Sequence, residues 1–301
     1  MEFAIETYNL TRQFGDFTAV DSLDLAIKPG EICGFLGPNG AGKSTTIRML
    51  CGILKPSSGS GSVLGYDLVR ESELIKRRIG YMSQKFSLYD DLTVLENIDF
   101  YAGLYNITRR QRRARIHEIL ELTGLIKHCN EPTANLSVGF KQRLALACAI
   151  ISPADVLFLD EPTSGVSPTA RRAFFDIIYT LAQAGTTVIV STHFMDEAER
   201  CDRIAFMSQG KLLALDRPDH LKKMTIKGVM VELELPSPME WLPRLEASTW
   251  VKEASIHGSL LHVLLPDENA IYALKELTGQ QPRVITPSLE DVFINLARKE
   301  V

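Results

Sequence analysis

The sequence predicts an α/β fold, a largely parallel sheet wrapped by helices, followed by a smaller α+β domain. Three observations carry that prediction. Short apolar runs alternate with amphipathic stretches through the first two-thirds of the 301 residues, as strands do when they cross over through helices. A glycine-rich loop, Gly37 to Thr45, stands between one such run and a helical segment. After about Met224 the pattern shifts to period two, with Val229, Val231, Leu233 and Leu235 set among Met230, Glu232 and Glu234.

Taken in order, Ile32–Leu36, Val156–Leu159 and Thr187–Val190 read as buried strands, being β-branched-rich or bounded by Gly and Asp. Between Thr93 and Ile151 the pattern is helical with no clear strand, so a helical subdomain of about residues 86–150 is expected inside the sheet core. A first domain of 1–223 and a second of 225–301 follow. In the second, Ser237-Pro238-Met239-Glu240 offers a cap, a proline at the first helical position and a capping-box Glu. Strands near Thr249–Ile256 and Ser259–Leu265 flank His257-Gly258. A helix from about Asp267, a strand around Val284 and a last helix opened by Ser288 complete it. This βαββαβ order is that of a ferredoxin-like split βαβ unit.

Composition narrows the classes. Apolar residues are 45% and charged residues 23%, which excludes disordered and low-complexity chains. Lys+Arg number 33 against 37 Asp+Glu, a net charge of −4 that gives no global attraction to nucleic acid or anionic lipid. Five scattered cysteines, Cys33, Cys51, Cys129, Cys148 and Cys201, form neither a disulfide framework nor a zinc pattern and suit a reducing cytosol. The N-terminal stretch carries acids where a signal peptide would be basic, then apolar. The longest apolar run, Leu144 to Ile151, is far short of the roughly 20 residues of a membrane span, so a chain soluble by itself is expected.

Gly37-Pro38-Asn39-Gly40-Ala41-Gly42-Lys43-Ser44-Thr45 fits G-x-x-x-x-G-K-[ST] between a strand and a helix. The glycines let successive amides converge on phosphate oxygens, and the helix N-terminus adds positive potential. Lys43 would reach the β- and γ-phosphates, and the Ser44 hydroxyl would ligate Mg²⁺. The strand Val156–Leu159 delivers Asp160 and Glu161 to its C-terminal edge, where parallel sheets bind ligands. Asp160 would hold Mg²⁺ through water, and Glu161 would act as general base on an attacking water. Arg109, Arg110, Arg112, Arg113 and Arg115 crowd one segment. They read either as a solvated helix face or as a contact for lipid headgroups or a membrane partner.

Three further features narrow the field: Leu136-Ser137-Val138-Gly139-Phe140 ahead of the second motif, Gln84 after Ile79–Met82, and His193 after Ser191-Thr192. With these, the stretch from about Phe3 to Lys223 resembles the nucleotide-binding subunit of ABC transporters, a P-loop NTPase cassette with a RecA-like core sheet and a helical subdomain. The resemblance implies ATP and Mg²⁺ as ligands. It implies Phe14 as the aromatic stacked on adenine, and Gln84 as a residue touching Mg²⁺ or its water and sensing the helical subdomain. His193 would contact the γ-phosphate, while Ser137, Val138 and Gly139 would meet ATP bound to a second cassette. Two segments depart from the family pattern. Val138 and Phe140 occupy positions of a glycine and a glutamine, and Ser167 stands where an aspartate is usual.

The tail, with Met195-Asp196-Glu197-Ala198-Glu199 after His193 and Pro287-Ser288-Leu289-Glu290-Asp291-Val292-Phe293 near the end, resembles that of export-type subunits handling drugs, polysaccharides and similar loads. The implied function is ATP hydrolysis coupled to transport, with dimerisation on ATP and a separate membrane permease. The second cassette is taken as a copy of the same chain, working peripherally at the cytoplasmic face of the inner or plasma membrane. The rival class, a translation or DNA-repair ATPase, would carry two cassettes or a long coiled coil, and neither pattern is present. A non-hydrolysing interaction subunit is the third reading, and the presence of Lys43, Asp160, Glu161 and His193 argues against it.

Overall fold

A hairpin opens the chain in the computed structural model, which describes residues 2–85 and 88–298. In it β1 (Ile5–Phe14) pairs antiparallel with β2 (Phe17–Ile27). The chain then enters β3 (Ile32–Leu36), α1 (Lys43–Leu50), β4 (Ser58–Val63), β5 (Tyr66–Asp67), α2 (Ser72–Lys76) and β6 (Ile79–Met82). Three helices follow, α3 (Val94–Leu104), α4 (Arg109–Leu122) and α5 (Val138–Ala149). The expected helical subdomain is therefore present, although residues 86 and 87 lie outside the described residues. Next come β7 (Val156–Asp160), α6 (Pro168–Gln183), β8 (Thr187–Thr192), α7 (Met195–Ala198), β9 (Arg203–Ser208) and β10 (Lys211–Asp216).

Two sheets result. One has the order β2-β1-β4-β5, the other β10-β9-β3-β8-β7-β6. In the second, β9, β3, β8, β7 and β6 pair in parallel. The three strands expected from apolar runs lie at its centre, with every residue of β3, β7 and β8 buried, as a sheet covered on both faces requires. Ile98, Ile119 and Leu144 of the helical region share one core with Leu157, Leu159 and Val188 of the sheet. That common core ties the helices to the strand bearing Asp160.

The chain divides into two compact units, Met1–Leu215 and Asp216–Val301. The division expected between residues 223 and 225 falls inside α8 (Pro218–Thr225). The structure divides the chain ahead of that helix because α8 packs against the last helix. The second unit continues through β11 (Val229–Glu234), α9 (Pro238–Glu246), β12 (Glu253–His257), β13 (Leu260–Leu265), α10 (Ala270–Thr278), β14 (Arg283–Val284) and α11 (Leu289–Arg298). Its antiparallel strands take the order β12-β13-β11-β14, the order of a split βαβ unit. Val231, Leu261 and Val263 meet Leu245 of α9 and Leu274 of α10 on one face.

Two local expectations of the second unit fail. Ser237 does not cap α9: at φ 53° it is left-handed and makes no side-chain cap bond. Its carbonyl instead accepts from Glu240 N at 2.9 Å. Nor does the period-two pattern hold throughout β11: Met230 is 5% exposed and Glu232 half-buried, and only Glu234 is exposed on that face. The reason is that α11 covers the second face of this sheet, where Asn295 donates to Glu253 at 2.7 Å.

Candidate functional site

The loop between β3 and α1 must turn sharply and pass close to its neighbours. Gly42, at φ 99°, occupies the left-handed region, and a Cβ there would stand 2.6 Å from the Ala19 carbonyl oxygen. No other residue type fits that position. Immediately after it, Lys43 begins α1 with its ammonium turned back over the loop. Its Nζ donates to the carbonyls of Gly37 at 2.7 Å and Pro38 at 3.0 Å. It also lies 3.8 Å from Glu161 Oε1. Burial pushes the Lys43 pKa down, and the neighbouring Glu161 and Asp160 offset only part of that.

Asp160 ends β7 in the buried core. Its Oδ1 accepts from Ser44 Oγ and Ser191 Oγ, each at 2.8 Å. Its Oδ2 is buried and has no hydrogen-bond partner. A buried carboxylate oxygen left unpaired is costly. Here it stands beside a serine hydroxyl, and such hard oxygen donors suit Mg²⁺. The residues present therefore fit that ion.

Glu161 follows at φ 49°, rare for a residue with a side chain, a backbone strain of about 1–3 kcal/mol. The surroundings enforce it: Glu161 N donates to Ser191 Oγ at 3.0 Å. So placed, its carboxylate meets the other candidates. Gln84 Nε2 donates to Glu161 Oε2 at 2.9 Å, and His193 Nδ1 lies 3.9 Å from the same oxygen. A cavity of about 300 Å³ opens here, lined by Asn39 to Thr45, Gln84, Glu161 and Phe17. Gln84 also lines a second cavity with Val138 and Lys141 of α5, so it stands between the carboxylate and the helical subdomain.

Phe14 is not among the residues lining the first cavity. It carries the Arg12 guanidinium 4.4 Å over its ring. Phe17, its cross-strand partner at the hairpin tip, lines the cavity instead. The signal for Phe17 was a second aromatic just past Gly15-Asp16, a turn that brings both rings to one tip.

Ser137, Val138 and Gly139 form the opening of α5, with Ser137 at its N-cap. Ser137 Oγ accepts from Phe140 N at 3.5 Å. A Cβ on Gly139 would lie 3.2 Å from Ala170 Cβ and 3.7 Å from Val166 Cγ1, so this glycine admits the close approach of α5 to the start of α6. Ser167 caps α6, accepting from Ala170 N at 3.4 Å. Phe140 sits 4.2 Å from the His128 ring, centroid to centroid.

Sequence reasoning missed Glu197. Buried, it accepts hydrogen bonds from Thr163 and, at 2.6 Å, from Thr192, joining the segment after Glu161 to the end of β8. Burial pushes its carboxyl above the ordinary value despite those bonds. The arginine cluster divides. Arg112 donates to Ile107 O at 3.2 Å and Arg115 to Ile150 O at 2.8 Å, whereas Arg109, Arg110 and Arg113 are exposed.

The pattern of the family described as "ABC transporter" matches residues 20–164. The chain is 52% identical over 221 residues to "Probable multidrug ABC transporter ATP-binding protein YbhF" of Escherichia coli (strain K12). That match covers 73% of this chain and 38% of the relative, so the chain spans well under half of that protein's length. It is 35% identical over 302 residues to "Nod factor export ATP-binding protein I" of Paraburkholderia xenovorans (strain LB400), covering 100% of this chain and 99% of that protein. Among solved structures, a dimeric ATP-binding cassette in a post-hydrolysis state, bound to ADP and Pi, superposes with a TM-score of 0.64 at 27% identity. That superposition covers 71% of this chain and 98% of the other.

Proposed function

The chain belongs to the ABC transporter family, and from that membership we propose that it is the ATP-binding and ATP-hydrolysing subunit of an exporter. One observation carries the reading: Lys43, Gln84 and His193 all surround the Glu161 carboxylate, next to the unpaired buried oxygen of Asp160.

The amides of the loop and the N-terminus of α1 receive the phosphates. Lys43 exchanges the Gly37 and Pro38 carbonyls for the β- and γ-phosphate oxygens. Ser44 and Asp160, with Gln84 as a further ligand, would hold Mg²⁺, which when bound would supply positive charge against the charge that builds on those oxygens. Glu161 takes the proton of the attacking water as the water oxygen bonds to the γ-phosphorus. The bond to the β,γ-bridging oxygen breaks, and ADP and phosphate result. Gln84 fixes the orientation of the Glu161 carboxylate, and His193 sits on its other side, within reach of the γ-phosphate. At the hairpin tip, Phe17 or Phe14 stacks on adenine.

Ser137, Val138 and Gly139 serve a second cassette, a copy of this chain packed head to tail, at whose ATP the first turn of α5 is aimed. The dimeric state of a similar solved cassette supports this. Among the described residues no helix is long and apolar enough to cross a membrane. The reading assigns the cargo path to a separate permease and the chain to a peripheral position at the cytoplasmic face. The names of the relatives support export, with a drug, lipid-linked or polysaccharide compound as cargo.

The test is Lys43→Ala. It should lose ATP affinity and steady-state phosphate release together, with circular dichroism unchanged. ATP binding at the starting affinity would remove the loop from the mechanism.

A further inference from the structure

The second unit gathers a set of donors that the nucleotide site does not use. His257 ends β12, His262 lies in β13, and Asp291 belongs to the first turn of α11. Asp291 Oδ1 lies 2.9 Å from His262 Nδ1 and 3.1 Å from His257 Nε2. The two imidazoles stack with centroids 3.8 Å apart and planes inclined by 16°, so both present a nitrogen to one carboxylate oxygen. Asp291 is 2% and His262 8% exposed, while the His257 side chain at 12% leaves one side open.

Each donor is also held from behind. Asp291 Oδ2 accepts from Ser288 N and Ser288 Oγ, each at 2.7 Å, which leaves Oδ1 facing the histidines. The second nitrogen of His262 lies 3.6 Å from Glu232 Oε2, and that of His257 lies 3.4 Å from Glu290 Oε2. Carboxylates at the back of imidazoles are the usual partners of metal-bound histidines, because they fix the tautomer and ring direction. Ser255 Oγ, 3.1 Å from His257 Nε2, adds a hydroxyl oxygen.

Charge points the same way. Asp291, Glu290 and Glu232 face two imidazoles and the exposed Arg283, which lies 3.7 Å from Glu232. With neutral imidazoles the nest is net negative. One divalent cation balances that charge.

The geometry points to a divalent-cation site made by His257, His262 and Asp291, suited to Zn²⁺ and joining α11 to the sheet. Two nitrogens and one carboxylate, with Ser255 or water in the fourth position, match zinc chemistry, while Mg²⁺ and Ca²⁺ favour oxygen donors alone.

The test uses the full chain, stripped with a chelator. It is titrated calorimetrically with Zn²⁺ in excess Mg²⁺, and separately with Co²⁺ under visible absorption. One Zn²⁺ per chain is expected, with Co²⁺ giving d–d bands of a four-coordinate site and no thiolate charge-transfer band. His257→Gln and His262→Gln should lose that stoichiometric binding, and Glu232→Gln should weaken it about 10–100-fold. ATP affinity should be unchanged in all three. Should His262→Gln fail to fold, His257→Gln, at the less buried strand end, still decides. No Zn²⁺ uptake by the starting protein, equal uptake by His257→Gln, or a thiolate band would each overturn the proposal.

Discussion

Ser167 stands where the family usually carries aspartate, and the structure gives it a definite task that can be perturbed. Its hydroxyl accepts from Ala170 N at 3.4 Å, at the long end for a hydrogen bond. Removing an N-cap costs about 0.5–2 kcal/mol, and so long a bond puts Ser167→Ala at about 0.5–1 kcal/mol. For a unit of this size that lowers Tm by about 1–4 °C. Ser167→Asp should keep the cap and add a carboxylate at the positive end of α6, a gain of about 0.3–1 kcal/mol. Thermal unfolding followed by far-ultraviolet circular dichroism separates the two. A lower Tm for Ser167→Asp with no change for Ser167→Ala would refute the capping argument. The same aspartate could accept charge-assisted bonds from a second cassette, roughly twice as strong as neutral ones. Val138, half exposed, sits beside this loop, with Cγ1 4.0 Å from the position of a Cβ on Gly165, so the two departures share one patch and should couple. Val138→Gly with Ser167→Asp should raise basal ATPase and ATP-driven dimerisation together. A double variant equal to the starting protein in both would show that these positions do not limit closure.

A chain ending at Leu215 should still bind a fluorescent ATP analogue, because Lys43, Ser44, Asp160 and Glu161 all precede the division. A soluble but ATP-blind truncation would make the second unit part of the site. Burial raises the Glu197 carboxyl above its ordinary value, so its stability contribution is full below the unfolded pKa, about 4.3, and is lost as pH rises through the folded value. Glu197→Gln should flatten that part of the stability curve, read as urea midpoints from about pH 4 to about pH 7, and an unchanged slope would contradict it.

What was legible in the sequence was whatever local spacing enforces. Gly42-Lys43-Ser44 specifies a left-handed turn followed by a helix. The run Val156–Leu159 can only be a buried strand, and the acids behind it must then emerge at its edge. Three local features escaped because other parts of the chain decide them. Ser237 reads as a cap, yet its left-handed backbone hands the Glu240 amide to a carbonyl. Glu232 reads as a solvent-facing residue of an alternating strand until α11 covers that face. Phe17 reads as one more hairpin residue until the cavity is seen. Most of all, the Gln84–Glu161 pair and the His257–His262–Asp291 group join residues far apart in the chain, and no periodicity reports such meetings. The family resemblance supplied the first pair as a likeness, and nothing in the sequence pointed to the second group.

Steady-state phosphate release by Glu161→Gln beside the starting protein tests the central claim most directly. The substitution keeps the shape of the side chain and its place beside Gln84 and Lys43 but removes the proton acceptor. The account predicts unchanged ATP binding, turnover lower by about 10²–10⁴-fold, and ATP-dependent dimers accumulating on gel filtration. Turnover equal to that of the starting protein would contradict it, because the carboxylate on which Lys43, Gln84 and His193 converge would then have no part in the chemistry.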